Sequence, residues 1–159
     1  MQRLVATVPE SVSELCLIRL GIQIRKWTAF RFALGLSRAI DVSAIEAIRD
    51  QVGLLHSEQF RFNLHHHGVL QYWQSFETLE AWSHSAPHAE WWRMAVDRMR
   101  TKGDLGIYHE TYLVPGAQVE SISMNCVPAG LGAFGPTFDA VGPRTTSRDR
   151  LGRRRRHEG

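Results

Sequence analysis

The sequence predicts an α+β sandwich, an antiparallel sheet with helices on one face. Three observations predict it. Runs of two-residue apolar alternation recur at Glu14 to Arg25, Leu54 to Leu64, Val69 to Trp73, Gly103 to Leu113 and Val119 to Val127, as half-buried strands require. Between the first and second runs, and between the third and fourth, apolar residues fall at helical spacing. The first six elements of the resulting order follow the split βαβ pattern of a ferredoxin-like sandwich. The bare face of such a sheet needs a cover, and pairing with a second copy, which yields a dimeric α/β barrel, is one solution.

Each element has its own signature. The segment up to Pro9 reads as an arm or partial strand. In the first full strand Cys16, Ile18, Leu20, Ile22 and Ile24 form the apolar face. Trp27 to Ala39 puts Trp27, Phe30, Ala33 and Leu34 on one helical stripe. A second helix follows, with Val42, Ile45 and Ile48 as its stripe, Asp41 or Ser43 as its cap and Gly53 beyond its end. The next two strands make a hairpin whose loop is His65-His66-His67-Gly68. Ser75 caps a further helix, although Thr78 stands where a capping box usually has Glu. Pro87 to Met99 carries Trp91, Met94, Ala95 and Met99 as an apolar stripe. In the strand after Gly103, His109 shares a face with Ile107, Thr111 and Leu113, while Tyr108, Glu110 and Tyr112 share the other. Pro115-Gly116 turns the chain into a last strand, and Gly130, Gly132 and Gly135 mark an irregular, lid-like segment with no phosphate-loop pattern.

With 159 residues, 43% hydrophobic and 22% charged, the chain fits one folded domain over 1–141 and a disordered basic tail over 142–159. Seven arginines lie in the last sixteen residues, so the net charge of +3 belongs to that tail and gives no reason to expect nucleic acid as a partner. No apolar run approaches the roughly 18–20 residues of a spanning helix. Nothing at the start resembles a signal peptide, so a cytoplasmic protein with no membrane partner is expected. Cys16 and Cys126 are too few for a disulfide framework and read as buried small hydrophobes in strands.

The combination of Leu70-Gln-Tyr-Trp-Gln-Ser-Phe-Glu-Thr-Leu-Glu80, Gly103-Asp-Leu-Gly-Ile-Tyr-His-Glu-Thr-Tyr-Leu-Val114 and Met124-Asn125 with Pro128 and Gly130-Leu-Gly132 resembles the DUF4188 family. Members of that family are labelled monooxygenases similar to a fungal fumagillin-pathway enzyme, within the dimeric α/β-barrel superfamily. The resemblance covers Leu15 to Phe134, with two departures: Tyr108 stands where tryptophan is common, and the histidine loop is unusually rich. It implies a homodimer that oxygenates a small apolar organic molecule in a pocket between sheet and helices.

His109 is the candidate catalytic residue. An imidazole beside an apolar pocket can remove a proton from a phenol or enol, so that the resulting carbanion reacts with oxygen and no cofactor is needed. The plain alternative is a core histidine bonded to Asn125 or to a backbone carbonyl. Tyr72, Trp73, Tyr108 and Tyr112 are candidate substrate-binding residues as an aromatic pocket wall, and packing explains them equally well. Asn125 is a candidate polar contact, whereas Glu110 reads as a solvated or dimer-facing carboxylate. His65, His66 and His67 point in different directions in an extended loop and lack a further ligand at metal spacing, so no metal is expected. The rival reading is a non-catalytic module for a small molecule or for haem, which other dimeric α/β-barrel proteins bind through a histidine; His109 or the histidine loop would supply the axial ligand.

Overall fold

A computed structural model describes residues 1–154, which fall into two compact units. The larger unit spans Cys16–Tyr112, and the smaller is formed by the chain before and after it. Four strands, β2 (Glu14–Ile24), β3 (Leu54–Asn63), β4 (His66–Trp73) and β5 (Leu105–Pro115), make one sheet in the order β3-β4-β2-β5, the order of a ferredoxin-like sandwich. Antiparallel pairing sets Cys16 opposite Trp73 and Ile18 opposite Gln71 between β2 and β4, and Ser57 opposite Gln71 between β3 and β4.

The helices of this unit are α1 (Phe30–Arg49), α2 (Phe76–Ser83) and α3 (Ala86–Lys102). Their packing follows from strand parity. Ile22 and Ile24 of β2, with Val69 and Leu105, meet Ala33, Leu36 and Ile40 of α1 and Trp91 and Ala95 of α3. A second cluster joins Cys16, Leu54 and Trp73 to Ala44, Ala47 and Leu79. Small residues along α1 let its axis lie close to the sheet.

Several expectations are corrected here. Two helices were expected between the first strands, and one continuous α1 is found, because neither Gly nor Pro interrupts Ala39 to Val42. Asp41 therefore bonds the Gln59 side chain instead of capping, and Ser43 is buried inside the helix. The buried stripe is Ala33, Leu36, Ile40, Ala44 and Ala47, leaving Trp27 at 73% and Leu34 at 52% exposure. The hairpin turn is shorter than expected: Asn63 Oδ1 accepts from the His65 amide at 2.8 Å, so His66, His67 and Gly68 enter β4. Ser75 and Thr78 do form a reciprocal capping box, with the Thr hydroxyl in the place of a carboxylate at 3.3 Å.

After α3, Gly103 takes a left-handed φ of 57° as the helix ends. Asp104, 2% exposed, then accepts from Arg98 Nη2 at 2.5 Å and from Thr28 Oγ1 at 2.8 Å.

In the smaller unit β1 (Arg3–Ala6) lies between β6 (Ser121–Met124) and β7 (Thr137–Asp139). The segment expected as a last strand of the main sheet is thus β6 of a separate sheet, with Ile122 opposite Val5. A short helical turn at Gly116–Gln118 redirects the chain before it. Cys126, expected as buried in a strand, is exposed past the end of β6. The expected disorder from residue 142 is not what residues 142–154 show. They form a turn at Gly142–Arg144 and a helix, α4 (Ser147–Arg154). There Arg150 pairs with Glu120 at 2.7 Å and donates to the carbonyls of Arg144 and Thr145, so its charge is neutralised in place. The rest of the expected tail, 155–159, lies outside the described residues. Among the described residues no helix is long and apolar enough to cross a membrane.

Candidate functional site

A cavity of about 340 Å³ opens between the sheet and the pair α2 and α3 of the larger unit. Ile18 and Leu20 of β2 and Val69 and Gln71 of β4 form its floor, because alternate residues of these strands face the helices. Leu79 and Trp82 of α2, with His88, Trp91 and Trp92 of α3, cover it. His88 stands three residues before Trp91 and four before Trp92, the spacing that puts side chains on one helical face. His109 and Thr111 of β5 complete the lining. Since β5 is an edge strand, His109 borders the cavity while remaining open to solvent, its ring 6.4 Å from that of Trp92.

The other candidate residues lie elsewhere. Tyr108 and Glu110 occupy the opposite face of β5: Tyr108 Oη is 2.9 Å from His66 Nε2, and Glu110 accepts from Arg19 and from Tyr112 Oη, both at 3.1 Å. The Arg19 guanidinium also lies over the rings of Phe60, Phe62 and Tyr108. Tyr72 is buried on that same face beside Glu58, and burial, reinforced by the Glu58 charge, pushes its hydroxyl up to about 12. Trp73 faces the helices, fully buried against Trp82 at 5.3 Å. Asn125 belongs to the smaller unit, where its Oδ1 accepts from the Gln2 amide at 3.2 Å. The aromatic wall drawn from Tyr72, Trp73, Tyr108 and Tyr112 is therefore not what surrounds His109; strand parity sends three of them to the other face and Trp73 into the core.

The tryptophans of α2 and α3, Gln71 and His88 were missed. A signal for the α3 residues existed in the His88, Trp91 and Trp92 spacing along that helix, which reads from sequence as a packing stripe. His88 is held neutral at lower pH than an ordinary imidazole, chiefly by burial, with the Ser83 backbone opposing. Its ring lies edge-on to Trp91 at 4.2 Å.

The three consecutive histidines do not converge. His65 packs against Trp27 and Phe30, His66 against Tyr108, and His67 faces α1 with Nε2 3.0 Å from Ser37 Oγ, lining a second cavity of about 330 Å³. Burial lowers the pKa of His67, aided by the charge of Arg61. Among the described residues no group of three His, Cys, Asp or Glu side chains could hold a metal ion.

This architecture is that of the ferredoxin-like, dimeric α/β-barrel class of proteins. Within that class, residues 15–131 match the family described as monooxygenase af470-like, and the chain belongs to it. The chain is similar in fold to an aldoxime dehydratase (OxdRE) in complex with butyraldoxime, at 20% identity and a TM-score of 0.68, covering 94% of this chain and 42% of that one. A second aldoxime dehydratase gives 21% identity and a TM-score of 0.68 over 95% of this chain and 44% of its own. A conserved Bacteroides thetaiotaomicron protein of unknown function gives 12% identity and a TM-score of 0.50, over 64% of this chain and 99% of its own. The chain thus spans less than half the length of either dehydratase. Comparison with curated proteins found no match.

Proposed function

We propose that the protein is a cofactor-independent monooxygenase, that it oxidises a small apolar organic molecule in the cavity beside His109, and that His109 is the base. One observation carries this reading: an imidazole open to solvent stands beside a cavity of about 340 Å³ walled mainly by aliphatic side chains and tryptophans, with a few polar groups such as Gln71, His88 and Thr111 among them. Membership in a monooxygenase-like family supports it. In this scheme His109 takes the acidic proton of an activated C–H or O–H group, and the carbanion left behind gives electrons to O2. An activated CH2 becomes C=O, and its two hydrogens leave with the second oxygen atom as water, so the substrate supplies all the electrons required. Solvent access lets the imidazolium return its proton to water. A substrate like that of the fungal fumagillin-pathway enzyme belongs to the same reading.

The sheet face away from the helices carries Arg19, Phe60, Phe62 and Tyr108, with Phe62 59% exposed, and we take a second copy to cover it. The rival reading, a non-catalytic module for a small molecule or haem, is favoured by His88, whose buried Nδ1 has no protein partner. Oxygen-electrode traces and a visible spectrum separate the two. Oxygen uptake by colourless protein with an anthrone-type compound supports the oxygenase; a Soret band on adding haemin, with no uptake, supports the module.

A further inference from the structure

We propose that Gln71 is the hydrogen-bond donor for an oxygen atom of the ligand, so that the substrate carries a phenolic, enolic or carbonyl oxygen on which negative charge builds up. This rests on the reading of the His109 cavity as the substrate site. Gln71 is 3% exposed, a primary amide set in a floor otherwise made of Ile18, Leu20 and Val69. Burying such a group is costly unless its bonds are made, so which bonds it makes is informative. Its Oε1 accepts from Trp73 Nε1 at 3.2 Å.

An indole nitrogen can only donate, and Trp73 is fully buried, so turning the amide over would set two donors against each other. That contact fixes Nε2 on the far side, where Ser57 Oγ lies 3.5 Å away, at the long limit of a hydrogen bond. An amide nitrogen carries two N–H groups, and one weak contact occupies at most one of them. The remaining donor sits in a water-poor floor, where it favours an oxygen that is or becomes negative, and it needs no reorganisation to do so. His109 removes the substrate proton; Gln71 receives the charge left on oxygen, with no bond of its own broken. Trp73 is a positioning residue, acting through the amide it orients.

The test uses 4-nitrophenol as probe, whose phenolate is coloured, and nitrobenzene as its analogue without the hydroxyl. In the wild-type protein the bound probe is expected to ionise at lower pH than free probe, with the phenolate bound about ten- to a hundredfold more tightly than nitrobenzene, as for a hydrogen bond to a charged group. Gln71→Leu loses that factor but keeps its affinity for nitrobenzene. Gln71→Glu keeps the shape and the Trp73 contact yet excludes the phenolate. In Trp73→Phe the ionisation moves back toward the free value while nitrobenzene binding holds; an unmoved ionisation removes Trp73 from the assignment. Wild-type protein that shows no preference for phenolate overturns the proposal, whether or not the variants fold, and so does Gln71→Leu binding phenolate like wild type. Gln71-dependent phenolate binding without oxygen uptake under any condition refutes only the oxygenase reading, and undiminished uptake in Gln71→Leu refutes only this one.

Discussion

His109 draws its chemical interest from parity within β5. Leu105 and Ile107 on the same face are drawn into the helix-side core, and two residues further on the imidazole reaches the cavity lining as the strand runs out past α3. That face was legible in the sequence, since alternation alone pairs His109 with Ile107 and Thr111 and sets Tyr108 and Glu110 apart. The wall opposite was not legible, because aromatic residues adjacent along a strand look like a cluster while pointing to opposite sides. Two titrations follow at this scale. The Arg98 guanidinium holds the Asp104 carboxyl below the usual carboxylate range, with burial opposing and Thr28 assisting. A depressed acid contributes stability that is present above its unfolded pKa and is lost as pH falls through its folded one. Asp104→Asn is therefore expected to unfold at a lower temperature than wild type near neutrality, with the gap closing in strong acid; equal melting temperatures at neutral pH would contradict this. Burial of His88 works in the same direction on pH for a different reason, because the unfolded chain takes up a proton that the folded chain resists. Stability should fall as pH drops below about 6.5. His88→Gln should flatten that slope in denaturant titrations run at successive pH values.

Elements were legible where local rules act alone and less so where the partner decides. Glu14–Ile24 and the segment of β5 stood out by alternation, and Gly103 stood out as a turn residue before β5, although its role as the left-handed end of α3 did not. The single long α1 was hidden because Asp41 and Ser43 resemble caps until Gln59 and the core claim them. The end of the chain misled for a similar reason: an arginine-rich segment looks solvated until Glu120 is found against Arg150. The capping box of α2 gives a direct check. Ser75→Ala removes the acceptor for the Thr78 amide and should cost about 1 kcal/mol in chemical denaturation. The hairpin has less tolerance at Gly68, where a Cβ would collide with the Leu20 carbonyl oxygen and meet the Gly21 Cα at 2.9 Å. The paired β2 backbone cannot yield cheaply, so Gly68→Ala should cost about 1–3 kcal/mol by the same measurement.

At the scale of the whole molecule, all three helices of the larger unit lie on one side of the sheet β3-β4-β2-β5, and the Arg19 face carries none of them. If that face is a dimer interface, Arg19→Glu sets a carboxylate beside Glu110 and among aromatic rings, and light scattering should show the molecular mass falling toward that of one chain. A mass equal to that of wild type would place the interface elsewhere. The cavity on the other side is where we place the chemistry, and the proposal that it is an oxygenase site depends on one ring. Oxygen uptake with an activated anthrone-type compound, compared between wild type and His109→Ala at matched thermal stability, is the most direct test. A fall of about 10²–10⁴-fold is expected for loss of a general base, and equal rates in the two proteins would contradict the account.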